Sequence, residues 1–267
     1  MKRADLIKRI GERRSFLCVG LDPDSDRIPK RFAGDVLAFN RWIIDQTRDH
    51  CVAYKPNTAF YEAIGLEGTQ LLKDTIDYIG SDHLIIADAK RGDIGNTSRY
   101  YARFAFDTLG ADAITVAPYM GADSVQPFLE SPDKWTILLA LTSNPGGDDF
   151  QHTTQGNTDQ PLYERVMRRA MEWGTPDNLM FVCGATRAER FEHLRRIAPA
   201  HFFLVPGIGA QGGDLAAVCR YGMNEDCGLL VNSSRGILYA DDPAAAAQKL
   251  QRQMEEALNN YAPKVFQ

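Results

Sequence analysis

Eight short apolar runs recur along the chain, and their number and spacing limit the possible folds more than any other feature. They begin at Phe16, Cys51, Leu84, Ala113, Thr136, Leu179, Phe202 and Gly228 and read FLCVGLD, CVAYKPN, LIIADAK, AITVAPY, TILLALTSN, LMFVCGAT, FFLVPGIG and GLLVNSSR. Each run is almost continuously apolar and ends in polar, glycine or proline residues. Continuous apolarity predicts strands that are buried on both faces, as in a parallel sheet.

The segments between these runs have helical periodicity. Examples are DVLAFNRWIIDQTRDH, PLYERVMRRAMEW and DPAAAAQKLQRQMEEALNNYA. In the last of these, Asp242 precedes Pro243, which is typical of an N-cap followed by proline in the first helical turn. Eight strand–helix units in 267 residues predict an α/β fold, a single (β/α)8 barrel domain over residues 1–267. A doubly wound open sheet is the alternative.

Charge and hydropathy argue against several classes of protein. The formal net charge of −5 argues against nucleic-acid binding, which needs a basic surface. No apolar run reaches the roughly 18 residues of a membrane span, and the basic N-terminal segment lacks the apolar centre of a signal peptide. Scattered cysteines without a CxxC pair indicate a reduced, cytoplasmic protein. The histidines lack metal-ligand spacing, so we expect neither a metal site nor a membrane partner.

The third apolar run ends in an alternation of acids and bases. In LIIADAKRGDIGNT, residues 84–97, Asp88, Lys90, Arg91 and Asp93 follow the buried strand within six residues. A charge run of this kind is often a solvated turn. Strand alternation would instead place Asp88 and Lys90 on the same face, both pointing into the mouth of the barrel, with Asp93 coming from the following loop.

Polar side chains also end other strands. Asp22 ends the first run, Lys55 the second and Ser143 the fifth. The C-terminal ends of the strands carry the active site in (β/α)8 barrels. A solvated turn does not predict polar groups on so many strand ends, so we interpret these residues as parts of one active site.

The glycine-rich segment VPGIGAQGGD after the seventh run contains Gly207, Gly209 and Gly212 in GxGxxG spacing. A dinucleotide site is disfavoured, because the motif comes late in the chain and the next run ends in VNSSRG without an acid for a ribose. A single phosphate fits better, since barrels often bind one between the loops after strands 7 and 8. Arg235 would supply a fork of donors to it.

The segment SNPGGDDFQHTTQGNTDQ after the fifth run is unusually long for a connection between a strand and a helix. We expect it to form a lid over the mouth of the barrel. His152 lies in this segment, and as a single loop histidine it is more simply solvated than catalytic.

Taken together, these motifs resemble the orotidine 5'-phosphate decarboxylase family. IIADAKRGDIGNTS matches that family's DxKxxD…T signature, and LDPD, YKPNTAFYE, LTSNPG, VPGIGAQGGD and SSRGILYADDP match in the family's order. The resemblance covers nearly the whole chain and fits the stand-alone bacterial-type subfamily. The long segment after the fifth run and the SSRG after the eighth depart from some relatives.

The resemblance implies a homodimeric barrel that converts orotidine 5'-monophosphate to uridine 5'-monophosphate and CO2, the last step of de novo pyrimidine nucleotide synthesis, without metal or organic cofactor. Lys55, Asp88, Lys90 and Asp93 would form a charged array, with Lys90 as the proton donor to ring carbon 6. Asp93 and Thr97 would reach the neighbouring subunit's site. The other substrate-binding residues that the resemblance implies are Asp22 and Lys55 at the ribose, Ser143 at the pyrimidine, and Pro206, Gly209, Gln211 and Arg235 at the phosphate.

Alternating charge suits this chemistry. A lysine in a partly dry site stays protonated only if neighbouring carboxylates oppose the effect of burial. Two unit charges about 4 Å apart interact by about 4 kcal/mol at an effective dielectric of about 20, which is enough to do so. Two alternatives remain: a Mg²⁺-dependent phosphosugar aldolase or synthase, which would need further carboxylates, and a non-catalytic phosphosugar sensor.

Overall fold

The computed structural model describes the chain except for residues 155, 157–158, 186–187 and 209–213. The described residues form eight β-strands and eleven α-helices. The strands are β1 (Leu17–Leu21), β2 (Ala53–Pro56), β3 (Leu84–Arg91), β4 (Ala113–Val116), β5 (Trp135–Leu141), β6 (Leu179–Cys183), β7 (Phe203–Pro206) and β8 (Leu229–Ser233). The helices are α1 (Arg3–Arg13), α2 (Val36–Thr47), α3 (Thr58–Glu62), α4 (Leu66–Ile79), α5 (Gly95–Arg103), α6 (Ala122–Leu129), α7 (Leu162–Ala170), α8 (Arg190–Ile197), α9 (Leu215–Gly222), α10 (Arg235–Leu238) and α11 (Pro243–Tyr261).

The strands pair in chain order, every pair is parallel, and β8 pairs with β1 to close the barrel. Each of the eight apolar runs overlaps one strand, and β3 and β5 each extend one residue beyond their runs. The predicted (β/α)8 barrel is therefore confirmed. The open doubly wound sheet is wrong, because it would leave β1 and β8 as unpaired edges.

Side-chain caps begin several helices, and one of them lies where the sequence predicts it. The Asp242 carboxylate accepts a hydrogen bond from the Ala245 amide, and Pro243 occupies the first turn of α11, as predicted. The Asp35 carboxylate caps α2 in the same way by accepting from the Ala38 amide. Each cap satisfies an amide that has no acceptor within the helix and so fixes where the helix begins.

The core follows the apolar runs. β1, β6 and β8 are buried along their whole length, as expected for strands covered on both faces. All five cysteines are free and buried. Within the described part of the chain, no helix is long and apolar enough to cross a membrane. The same residues contain no group of three or more His, Cys, Asp or Glu side chains that could hold a metal ion.

β3 is irregular at its C-terminal end. Its register with β4 shifts between Ala87 and Arg91, and Lys90 adopts a left-handed backbone conformation with φ 47°. A non-glycine residue in this region is uncommon, and bulges of this kind redirect side chains next to active sites. The directions of Asp88 and Lys90 are therefore set by a bulge and not by the simple strand alternation that the sequence predicts.

Candidate active site

A cavity of about 460 Å³ opens at the C-terminal ends of the barrel strands, where enzymes of this architecture carry their active sites. The residues around it come from the ends of β1, β2, β3, β7 and β8 and the loops that follow them. They are Asp22, Asp24, Arg27, Lys55, Asn57, Phe60, Asp88, Pro206, Gly207, Ile208, Asn232, Ser233, Ser234, Arg235 and Tyr239. The fold thus brings together five of the predicted site residues, which lie far apart in the sequence: Asp22, Lys55, Asp88, Pro206 and Arg235.

The Asp88 carboxylate joins two lysines. Lys55 Nζ donates to Asp88 Oδ2 at 2.8 Å, and Lys90 Nζ donates to Asp88 Oδ1 at 2.6 Å. The Lys55 side chain is only 6% exposed, whereas the Lys90 side chain is 49% exposed. Lys55 is therefore a fixed, buried partner of Asp88, while the Lys90 ammonium stays accessible to a ligand.

Mutual attraction keeps the buried members of this group charged. Burial by itself lowers the pKa of Lys55, but the Asp88 and Asp22 carboxylates outweigh burial, so the pKa of Lys55 is raised. Burial by itself raises the pKa of Asp88, but Lys55 and Lys90 outweigh it and hold that pKa well below its usual range. Both groups are consequently ionised at neutral pH, as expected for opposite charges a few ångströms apart.

Thr115 on β4 supports the bulge and the carboxylate together. Its hydroxyl donates to Asp88 Oδ1 at 2.9 Å and accepts the backbone N–H of Lys90, also at 2.9 Å. The hydroxyl is buried, with Thr115 only 1% exposed. One side chain on the neighbouring strand therefore fixes the position of Asp88 and the strained backbone of Lys90.

Within the described residues, Asp93 and Thr97 form no hydrogen bond or ion pair with Lys55, Asp88 or Lys90. The Asp93 carboxylate accepts a hydrogen bond from the Ile94 amide. The Ser98 hydroxyl accepts from the Asp93 amide and donates to the Asp93 carbonyl. Among the described residues, no lysine, arginine or histidine forms an ion pair with Asp93. Thr97, on α5, lines a separate, largely apolar cavity beside Tyr61 and Arg91. One chain therefore brings together three of the four predicted members of the array.

Asp22 is held by the end of the barrel's last strand. Ser234 Oγ donates to Asp22 Oδ2 at 2.6 Å, and Tyr239 OH donates to the Asp22 carbonyl at 3.3 Å. Gly20 makes this contact possible, because a Cβ at position 20 would lie 2.7 Å from Ser234 Cβ. The chain after β1 and the chain after β8 are thereby connected at the rim of the cavity.

The predicted phosphate side of the cavity carries exposed cations. Arg235 begins α10, and its guanidinium has no carboxylate partner among the residues that the structure describes. Pro206 and Gly207 line the cavity next to it, and Gly207 has a positive φ of 95° that suits glycine. The predicted contacts of Gly209 and Gln211 lie outside the described residues.

The segment after β5 has local structure of its own. A 3-10 turn spans Pro145–Asp149, and the Gln151 side chain bonds the amide and hydroxyl of Thr142. His152 contacts Arg190 and Asp148 and does not line the cavity. Ser143 follows β5 and lies against Gly184 at the end of β6.

Sequence reasoning missed several residues that line the cavity or support Asp88. Thr115 reads as an ordinary strand former within AITVAPY, so no local signal distinguishes it. Ser234 and Asn232 lie in VNSSR, where the eighth apolar run becomes polar. That change in polarity is the sequence signal that could have indicated both residues. Arg27 follows the LDPD motif, and its guanidinium stacks 4.0 Å from the ring centre of Tyr239.

Comparison with known proteins identifies the family. A model of the Orotidine 5'-phosphate decarboxylase / HUMPS family matches residues 15–250. A protein of Bacteroides fragilis named orotidine 5'-phosphate decarboxylase is 52% identical over 271 aligned residues, which cover 97% of this chain and 98% of that protein. The chain belongs to the orotidine 5'-phosphate decarboxylase / HUMPS family.

Other relatives agree with this membership. The orotidine 5'-phosphate decarboxylase of Phocaeicola vulgatus is 52% identical, with 97% of this chain and 99% of that protein covered. The structure of Leishmania donovani OMP decarboxylase superimposes with a TM-score of 0.87 at 40% identity, covering 96% of this chain and 99% of that one. These relatives carry the decarboxylase name of the family, so the chain is an enzyme of the carboxy-lyase class.

Proposed function

We propose that this family member converts orotidine 5'-monophosphate to uridine 5'-monophosphate and CO2, the last step of de novo pyrimidine nucleotide synthesis, without metal or organic cofactor. The observation that carries the proposal is the pairing of Asp88 with both Lys55 and Lys90 at the mouth of the barrel. The decarboxylase names of relatives that align over nearly the whole chain support the substrate.

Lys90 is the proposed proton donor. When the bond between ring carbon 6 and the carboxylate breaks, CO2 leaves and the electron pair stays on carbon 6. An ammonium aimed at that carbon favours the developing negative charge and then transfers its proton, which forms the new C–H bond. Lys90 suits this role better than Lys55 because its side chain is accessible while that of Lys55 is buried. Solvent then returns a proton to the lysine.

The rest of the nucleotide would extend from the Asp88 group toward β8. Asp22 and Lys55 are proposed to hold ribose hydroxyls, and Ser143 to face the pyrimidine. Arg235 is proposed to bind the phosphate. Pro206, Gly209 and Gln211 are proposed to complete the phosphate site. Phosphate binding is remote from the bond that breaks, yet its free energy can assemble the site around the reacting ring.

A homodimer is part of the proposal. Asp93 and Thr97 would act in the partner's site, which is consistent with the lack of contacts between them and the Asp88 group among the described residues of one chain. Large apolar side chains are exposed in this part of the chain: Ile94 is 58% exposed, Tyr100 64% and Tyr119 93%. Apolar side chains that are exposed in one chain and clustered in space are typical of surfaces that a partner covers.

We further propose that residues 1–267 form one domain and that the enzyme works in the cytoplasm. The closed barrel uses strands from Leu17 to Ser233, and α1 and α11 pack against it from the two ends of the chain. The five cysteines are all free thiols, which suits a reducing compartment.

The test is a direct assay with purified protein, orotidine 5'-monophosphate and excess chelator. We expect the ultraviolet absorbance to change as the ring loses its carboxylate, and we expect Lys90→Ala to abolish that change while still binding uridine 5'-monophosphate. Activity that requires Mg²⁺ would instead favour the phosphosugar aldolase or synthase. Nucleotide binding without turnover would favour the sensor, and substantial turnover by Lys90→Ala would remove Lys90 from the role of proton donor.

A further inference from the structure

Two buried side-chain oxygens at the cavity, one of a carboxylate and one of an amide, have no hydrogen-bond partner among the described residues. Asp22 uses Oδ2 to accept from Ser234, but Asp22 Oδ1 has no hydrogen-bond partner among the described residues. The Oδ1 of Asn232 is likewise buried and without a partner there, and Asn232 is only 8% exposed. Buried polar atoms are nearly always hydrogen-bonded, so two such acceptors at the edge of one cavity call for donors from a ligand.

Asn232 lies where a ligand bound beside Asp22 would reach it. On β8 it pairs in register with Pro206 of β7 on one side and Cys18 of β1 on the other. A Cβ at Gly20 would lie 3.3 Å from Asn232 Oδ1 and 3.1 Å from Ser234 Oγ. Gly20 also pairs in register with Lys55, so the amide oxygen of Asn232 lies close to the part of β1 that borders the strand of the buried lysine.

The groups of a nucleotide differ in whether they can donate a hydrogen bond to Asp22 and Asn232. Phosphate oxygens accept hydrogen bonds and cannot satisfy an amide oxygen or a carboxylate. The base is expected near Ser143, which follows β5, on the opposite side of the closed barrel from β1. The two hydroxyls of a ribose are the donors that remain, and two unpartnered acceptors match them in number.

We infer that Asn232 is a specificity-determining residue whose side-chain oxygen accepts a hydrogen bond from one ribose hydroxyl, while Asp22 accepts from the other. The inference rests on the nucleotide ligand of the proposed function and goes beyond it by assigning a residue that selects ribonucleotides. A ligand that lacks the hydroxyl leaves a buried acceptor unpaired, and sites built this way reject such analogues strongly.

The test compares the binding of three ligands by titration calorimetry: uridine 5'-monophosphate and its 2'-deoxy and 3'-deoxy analogues. We expect the unaltered enzyme to bind uridine 5'-monophosphate at least about tenfold more tightly than each analogue. In Asn232→Ala, the preference over one analogue should fall to about unity, while the preference over the other persists because Asp22 is intact. Asn232→Ser, whose shorter side chain cannot reach the same position, should behave in the same way and serves if Asn232→Ala does not fold.

Thr136→Val is the matched control. The Thr136 hydroxyl is also buried and unpartnered, but it lies at the start of β5 and away from this cavity, so its removal should change neither preference. The inference is overturned if the unaltered enzyme does not discriminate, if neither Asn232 variant changes a preference, or if they weaken all three ligands equally.

A parallel turnover assay separates this inference from the proposed reaction. If binding discriminates between the hydroxyls through Asn232 but orotidine 5'-monophosphate is not decarboxylated, the proposed reaction is refuted and the assignment of Asn232 stands. Decarboxylation without such discrimination would keep the reaction and refute the assignment.

Discussion

Asp88 receives hydrogen bonds from side chains of three neighbouring strands: Lys55 of β2, Lys90 of its own strand β3, and Thr115 of β4. Two of these donors are cations, which explains why a buried carboxylate remains ionised. The third donor is neutral and also accepts the Lys90 amide, so it contributes geometry more than charge. At the scale of single residues, the site depends on all three contacts.

Thr115→Val should lower kcat by about tenfold to a hundredfold, because it removes a hydroxyl that holds both Asp88 and the backbone of Lys90. KM should change less than kcat, since Thr115 is not expected to contact the nucleotide. Steady-state kinetics with orotidine 5'-monophosphate measures both effects.

The neighbouring strand offers a control for Thr115→Val. Thr136 of β5 pairs in register with Ile114 and has a buried hydroxyl without a partner, so Thr136→Val makes the same chemical change one strand away. If Thr136→Val lowers kcat as much as Thr115→Val does, the effect is a general loss of barrel packing and the positioning role of Thr115 is wrong.

At the scale of elements, the end of β8 and the start of α10 form one side of the cavity. Asn232, Ser234 and Arg235 are close in sequence, yet they differ in burial and in contacts. Asn232 is buried, Ser234 bonds Asp22, and Arg235 begins a four-residue helix with an exposed side chain. One short segment therefore presents a neutral acceptor, a positioning hydroxyl and a cation to the same cavity.

Arg235→Ala should reduce kcat/KM by orders of magnitude, because a charge-assisted contact with the phosphate is lost and phosphate binding is expected to assemble the site. Arg252→Ala is the matched control, since Arg252 is an exposed arginine on α11 that bonds only Gln248 among the described residues. A loss smaller than about threefold in Arg235→Ala would contradict the assignment of Arg235 to the phosphate.

At the scale of the whole molecule, the barrel closes the sheet but leaves the proposed array incomplete within one chain. Asp93 is fixed by local contacts with Ile94 and Ser98 and forms no ion pair with the described cations. Asp93 directly precedes the exposed Ile94, and we propose that a second copy of the chain receives it there.

Mixing two inactive variants tests this arrangement. Lys90→Ala and Asp93→Ala should each be nearly inactive alone. If Asp93 serves the partner's site, a mixed dimer contains one site with an intact Lys90 from one chain and an intact Asp93 from the other. Unfolding, mixing and refolding the two variants together should then restore roughly a quarter of the activity, by random pairing of chains.

The control for the mixing experiment is a mixture of Lys90→Ala with Asp88→Ala. Because one chain contributes both residues to a site, these two variants should not complement each other. Sedimentation velocity supplies the oligomeric state of every sample. Restored activity in both mixtures, or in neither when the samples are dimeric, would refute the assignment of Asp93 to the partner's site.

The sequence by itself predicted an α/β fold of eight strand–helix units with a buried parallel sheet, and the edge of that sheet that carries the candidate site. Eight continuous apolar runs can be buried on both faces only in a parallel sheet, and parallel strands carry their C-terminal ends to one edge. The polar residues that end those runs, such as Asp22, Lys55 and Asp88, were therefore expected at that edge, and closure of the barrel brings them around one cavity. Caps such as Asp242 followed from local chemistry that needs no distant partner.

Only the tertiary structure decided how those residues meet. The bulge at Lys90 depends on the register between β3 and β4, and the support from Thr115 comes from a different strand. Ser234 reaches Asp22 because barrel closure places β8 beside β1 and because Gly20 leaves space for it. Such contacts join residues distant in the chain, and their geometry comes from strand register and packing, which residue type and spacing along one strand do not specify.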